Sequence, residues 1–274
     1  MKKTLWTGDF SRITIATVLS AIGGEAMNLP LSLLVFQETQ STLLAAILLV
    51  CGMLPDIVLP VLIAPIIDRG QKKHWIVGLD FLLAVVYFMM AYWIATHSFQ
   101  YGLYLFFTLV VGTISVSYSL AYQALYPSLI TKGMEQKGYA VSSTIYPTVV
   151  VVVAPIATFL YEHVEMYYIF LLVALLSILS VLMESGIKET QVVSEEEYGL
   201  KEYFRDIKEG VTYIKQEKGI RNIYTYMSIT NGASNGIGTL TQAFYQTQGW
   251  LTVTMLVFIV VPGKENSRVY NYEA

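Results

Sequence analysis

Two acidic residues lie inside long apolar stretches, where charged groups are rare. Glu25 follows Arg12 by thirteen positions, which is about 20 Å along a helix, and Asp56 precedes Arg69 by a similar distance. If these stretches cross a membrane, both carboxyl groups lie deep within it. Ionisable residues at such depth are costly and mark ion or substrate pathways. Glu25 and Asp56 are therefore the first candidates for transport chemistry.

The surroundings of the two carboxyl groups suggest different roles. Small and polar residues recur every three or four positions around Glu25, namely Thr17, Ser20, Ala21, Gly24, Asn28 and Ser32. This helix face can turn away from lipid and line a cavity, where Glu25 would bind a proton or a cationic substrate group. The alternative is a carboxylate that hydrogen-bonds a neighbouring helix. Asp56 lies between Pro55 and Pro60, where a kink can expose backbone groups, and it has the same structural alternative.

The composition requires lipid around most of the chain. Hydrophobic residues make up 55% of the 274 residues and charged residues only 14%, whereas soluble domains have about 25% charged residues. The net charge of -3 does not suggest a nucleic-acid partner. Cys51 is the single cysteine, so the sequence offers neither a disulfide pair nor a thiolate metal site.

Six apolar segments are long enough to cross a bilayer as helices. They cover about 12–36, 42–67, 75–96, 101–126, 140–161 and 166–184. The connectors on one side, together with the N-terminus, hold fifteen Lys and Arg residues, and those on the other side hold none. This asymmetry predicts a multi-pass protein of the cell membrane with a cytoplasmic N-terminus.

The predicted fold is all-α, with three parts. Residues 1–185 form a six-helix transmembrane bundle, 186–221 a cytoplasmic linker with an amphipathic helix, and 222–274 the start of a second, incomplete bundle. A seventh span is expected at 222–245. The apolar run at 250–261 is too short to cross a bilayer, so we interpret it as an interrupted eighth helix.

Two short motifs point to a family. The loop after the second span has the sequence APIIDRGQKK at 64–73, and the fourth span closes with AYQALYPSLI at 121–130. The first resembles the loop signature of the major facilitator superfamily, with Ala64, Gln71 and Lys72 departing from it. The second is similar to a stretch found in its macrolide and siderophore exporters. The resemblance implies a bundle of two three-helix repeats, and a second bundle of which the chain holds only the start.

The resemblance also gives the loop charges a mechanical role. Asp68, Arg69, Lys72 and Lys73 would pair with adjoining helix ends and latch one conformation, with Asp80 as an added acid. The alternative is a solvated loop that follows the positive-inside rule, with Asp80 as an interfacial carboxylate.

Polar residues on the fourth and seventh spans complete the candidate pathway, because spans one, four and seven face the central pathway in this family. They are Tyr118, Tyr122, Gln123, Asn231 and Asn235. These side chains could hydrogen-bond or stack on an amphipathic substrate. Helix packing is the alternative for about half of them.

The predicted function is secondary active transport, with ion-driven efflux of an amphipathic small molecule by alternating access. Its partners would be that substrate, protons, the bilayer and a missing C-terminal half. The alternatives are a truncated, non-functional transporter fragment and a membrane receptor or regulatory subunit. His74, His97 and His163 lack metal-ligand spacing. No nucleophile or phosphate-loop motif occurs, so neither an enzyme nor a cofactor is predicted.

Overall fold

The computed structural model describes residues 4–188 and 199–246, and every regular element in these ranges is an α-helix. The all-α prediction is thus confirmed. The chain divides into two compact units, Met1–Glu196 and Glu197–Ala274. The apolar run at 250–261, interpreted above as an interrupted helix, lies outside the described residues.

The first unit contains six long helices, as the apolar segments predict. They are α1 (Gly8–Thr39), α2 (Thr42–Arg69), α3 (Lys72–Thr96), α4 (Tyr101–Leu129), α5 (Glu135–His163) and α6 (Met166–Ser185). All six are long and apolar enough to cross a membrane. Most ends extend a few residues beyond the predicted spans, because helical geometry continues into the polar residues at the edge of the apolar core.

The ends of α1 and α2 follow from local residue chemistry. The Thr7 hydroxyl accepts a hydrogen bond from the Phe10 amide at 3.2 Å, which caps the start of α1. Gln40 adopts a left-handed conformation (φ 52°) that ends the helix. The Ser41 hydroxyl then accepts from the Leu44 amide at 3.3 Å and begins α2. With only Gln40 and Ser41 between them, the two helices must run antiparallel.

The helix pairs reveal an internal repeat. The most extensive contacts join α3 with α6, α2 with α4, α1 with α6, α1 with α5, and α3 with α4. Exchanging α1–α3 for α4–α6 leaves the α3–α6 pair unchanged, turns α2–α4 into α1–α5, and turns α1–α6 into α3–α4. This exchange is the pattern of two three-helix repeats related by a pseudo-twofold axis, as the sequence resemblance implies.

Small residues allow α2 and α4 to approach closely. A Cβ atom added to Gly112 on α4 would overlap the Gly52 carbonyl oxygen on α2. A Cβ atom added to Gly52 would stand 2.8 Å from the Thr108 side chain. Close backbone approach at glycine is a common way for helices to associate in lipid. These two glycines therefore set the spacing of the α2–α4 pair.

Aromatic rings fill the centre of the bundle between α3, α4 and α6. Tyr87 and Phe107 have ring centroids 5.5 Å apart, and Phe170 lies 5.3 Å from Phe107 and 6.0 Å from Tyr87. All three side chains are buried. Large apolar side chains such as Ile57, Phe88 and Phe159 are instead exposed on the outside of the helices. An outer surface of this kind suits contact with lipid.

The second unit contains α7 (Leu200–Gln216) and α8 (Lys218–Gln246). α7 covers the residues for which an amphipathic helix is predicted, and its role as a cytoplasmic linker stays a prediction. The predicted seventh span coincides with α8, whose 29 residues are long enough to cross a bilayer. α8 contains many polar residues and is not among the six helices that are apolar enough to cross a membrane. Its insertion in the bilayer therefore stays a prediction.

A buried polar network and candidate pathway

Glu25 is buried in the middle of α1 despite its charge-bearing side chain. Only 9% of the residue is exposed. The Asn28 side-chain amide, one turn further along α1, donates a hydrogen bond to Glu25 Oε2 at 3.4 Å. Tyr146 on α5 is close enough to interact electrostatically with the carboxyl group. The helix pair α1–α5 thus holds a carboxyl group, an amide and a phenol within the predicted bilayer.

Asp56 has a different environment. It lies near the middle of α2, directly after the buried Pro55, and its own side chain is exposed. α2 carries Pro60 and Pro65 as well, yet it continues as one helix from Thr42 to Arg69. An exposed carboxyl group at this depth can bind a partner only on the outside of the first unit. A part for Asp56 in the pathway stays a prediction.

The three candidate residues on α4 face different surroundings. The Tyr118 hydroxyl donates a hydrogen bond to Glu184 Oε1 on α6 at 2.7 Å. The Tyr122 hydroxyl is hydrogen-bonded with the Ser142 hydroxyl on α5 at 3.2 Å. Gln123 is exposed, and its amide donates to Ser119 Oγ at 3.1 Å. Gln123 is therefore the one of the three that is open to a ligand on the unit's surface.

Asp80 lies in a buried polar cluster and not on the surface of the loop region. Its carboxyl group, 2% exposed, accepts a hydrogen bond from Ser20 Oγ at 2.9 Å. Ser20 Oγ also lies 3.0 Å from Ser180 Oγ on α6, and Ser180 donates to the Ala16 carbonyl at 3.2 Å. These contacts tie α1, α3 and α6 together. A role for Asp80 in a latch stays a prediction.

The sequence interpretation did not select Ser180 and Glu184, which complete this cluster. Glu184 is fully buried, but it stands beside the charged segment that follows the sixth apolar run, so it looks like a solvated interface residue. The available signal was spacing: Ser180 and Glu184 are four residues apart and hence lie on one face of α6.

The loop charges stand at adjoining helix ends. Asp68 and Arg69 are the last two residues of α2, whereas Lys72 and Lys73 are the first two of α3, and the Asp68 side chain is exposed. Gly70 between them has an extended backbone (φ -82°) that any residue can adopt. A Cβ atom there would come within 2.6 Å of the Trp75 indole nitrogen. A side chain at position 70 would therefore require the Trp75 side chain to shift, whereas the backbone there needs no special turn conformation.

The candidate residues of the second unit lie on α8. Asn231 is exposed, and the side chain of Asn235 lies outside the described set. Within the described ranges no three His, Cys, Asp or Glu side chains come together as metal ligands.

The fold and the buried polar groups define a polytopic helical membrane protein whose first unit is built from two three-helix repeats. A family model described as Major Facilitator Superfamily matches residues 13–263. The chain belongs to this superfamily, and since its members are secondary transporters, the chain is of the transporter class. A search of curated proteins gave no match.

Proposed function

We propose that the protein exports an amphipathic small molecule across the cell membrane by alternating access, driven by a proton gradient. The observation that carries this proposal is the burial of Glu25 within a membrane-spanning helix. A carboxyl group at this depth can exchange a bound proton for a cationic group of the substrate. Such an exchange would couple the two movements in opposite directions.

The polar groups proposed for the pathway favour a substrate that is both apolar and charged. Asn28 and Tyr146 supply an amide and a phenol on α1 and α5. Gln123 supplies a second amide on the exposed face of α4. The remaining surfaces of these helices are largely apolar, which is the mixture that small-molecule sites use. Export as the direction is supported by the similarity of residues 121–130 to macrolide and siderophore exporters.

The loop between α2 and α3 supports a latch in this mechanism. Asp68 and Arg69 carry opposite charges at the end of α2, and Lys72 and Lys73 add positive charge at the start of α3. Pairs made by these groups with other helix ends would hold one conformation until transport separates them. The lysine and arginine excess on this side also supports a cytoplasmic N-terminus.

Transport in vesicles tests the role of Glu25. The purified full chain would be placed in proteoliposomes, with a lipophilic fluorescent cation as the probe and an imposed proton gradient. We expect Glu25→Gln to lower gradient-driven movement of the probe at least tenfold, since the amide cannot exchange a proton. The matched control is Glu165→Gln, an exposed glutamate at the start of α6, which should retain transport.

Two results would contradict the proposal in different ways. Undiminished gradient-driven transport by Glu25→Gln would remove this residue from coupling while leaving the transporter intact. Movement of the probe that is independent of the gradient in the unsubstituted chain would instead contradict proton coupling.

A further inference from the structure

Glu184 has a fully buried carboxyl group, one oxygen of which accepts no hydrogen bond from the described residues. Its side chain lies at the last turn of α6 and is 0% exposed. Oε1 accepts a hydrogen bond from the Tyr118 hydroxyl at 2.7 Å. Oε2 is buried and has no hydrogen-bond partner among the described residues. A negative charge on this group would thus be stabilised by one neutral donor only, which is a costly arrangement away from water.

A second buried carboxyl group lies in the same region. Asp80 on α3 accepts from Ser20, and Ser20 is in turn within 3.0 Å of Ser180. Ser180 precedes Glu184 by one turn of α6, and Asp80 and Glu184 interact electrostatically. Two carboxylates buried in the same cluster oppose each other's ionisation. The cluster therefore favours a state with fewer than two negative charges.

The charged groups on the surrounding helices do not neutralise the pair. On α1, Arg12 binds the Gly186 carbonyl oxygen and lies 3.4 Å from Asp9. The other titratable groups that face this end of α6 are Lys73 and His74 on α3 and Tyr118 and Tyr122 on α4. Among the described residues no Lys, Arg or His forms an ion pair with Asp80 or Glu184.

We propose that Asp80 and Glu184 form a proton-binding site that is separate from Glu25. A hydronium ion from the aqueous phase gives up the proton: one of its O–H bonds breaks, an O–H bond forms with the unpartnered Oε2 of Glu184, and a water molecule remains. Oε1 keeps the hydrogen bond from Tyr118, while Ser20 donates to Asp80 and is itself in contact with Ser180. A proton fits better than a metal ion, because the described part of the chain brings no third acidic, His or Cys ligand to this place.

An open cavity lies beside the end of α6 that carries Glu184. It has a volume of about 350 Å³ and is lined by Lys73, His74, Val77, Gly78 and Ser185. Ser185 follows Glu184 directly at the end of α6. A small shift of this last turn relative to α3 would open the buried carboxyl group to the cavity. Proton exchange at this site would then report on the packing of α3 against α6.

Infrared difference spectroscopy of the purified full chain in lipid nanodiscs tests the site directly. Neutral carboxylic acids give a C=O stretching band that carboxylates lack, so a pH change reveals each group that gains a proton. We expect a titrating band that is lost in Glu184→Gln and retained in Glu165→Gln, the exposed glutamate at the other end of the same helix. If a folded Glu184→Gln protein kept every titrating C=O band of the unsubstituted protein, the proposal would be overturned.

Tyr118→Phe provides a milder variant in case Glu184→Gln does not fold. Loss of the hydroxyl leaves Oε1 without its donor, so the Glu184 band should remain and move to higher frequency. An unshifted band would assign it to another residue and contradict the site. Sodium chloride added at constant pH should leave the band unchanged, and its loss would show a metal cation in place of the proton. These infrared measurements do not require transport, so their outcome is independent of the function proposed for Glu25.

Discussion

The two buried glutamates, Glu25 and Glu184, differ in where their hydrogen-bond donors come from. Glu25 has an amide on its own helix as a hydrogen-bond donor, so its partner moves with it when α1 moves. Glu184 has a phenol from α4 as its donor, so its environment depends on the packing of two helices. A carboxyl group whose hydrogen-bond donor belongs to the same helix can keep that bond while the helix moves. A site between helices is better suited to sensing whether they stay packed.

The aromatic centre gives a prediction at the scale of one residue. Phe170→Ala should lower the free energy of unfolding in detergent by about 3–5 kcal/mol, because it empties a fully buried position. Phe159→Ala is the matched control, since Phe159 is 58% exposed on the outside of α5, and it should cost much less. Equal losses for the two variants, measured by equilibrium unfolding, would contradict the assignment of Phe170 to the core.

At the scale of helices, close approach at glycine fixes the α2–α4 pair. Gly112→Leu should prevent this approach, because even a Cβ atom at this position overlaps the Gly52 backbone. We expect a loss of folded, monodisperse protein on size-exclusion chromatography after extraction from membranes. Gly102→Leu on the same helix serves as the control, since nothing lies within 4 Å of a Cβ atom there. Normal behaviour of Gly112→Leu would contradict the close crossing.

The helices themselves could be predicted from the sequence because each is a run of apolar residues between polar connectors. The structure begins α2 at Thr42 and α6 at Met166, where the apolar runs begin. Helix pairing could not be predicted in the same way, because lipid-facing and buried positions are both apolar in a membrane protein. Glu184 was missed for a related reason: its burial depends on Tyr118, 66 residues away in the sequence.

At the scale of the whole molecule, the connectors alternate between short uncharged ones and longer basic ones. This pattern predicts that His97–Gln100 faces outward and that the Asp68–His74 loop faces the cytoplasm. The single native cysteine makes a direct test simple. In a Cys51→Ala background, a membrane-impermeant maleimide should label Ser98→Cys in intact cells but label Gln71→Cys only after permeabilisation. Labelling of Gln71→Cys in intact cells would reverse the topology.

The short connectors also bear on biosynthesis. Gln40–Ser41 and Val164–Glu165 join α1 to α2 and α5 to α6 so tightly that each pair enters the bilayer as a hairpin. The main packing partners of α1, however, are α5 and α6. We therefore expect Glu25 to stay uncovered until the third hairpin has been synthesised. During that interval we expect the nascent chain to depend most on a membrane chaperone.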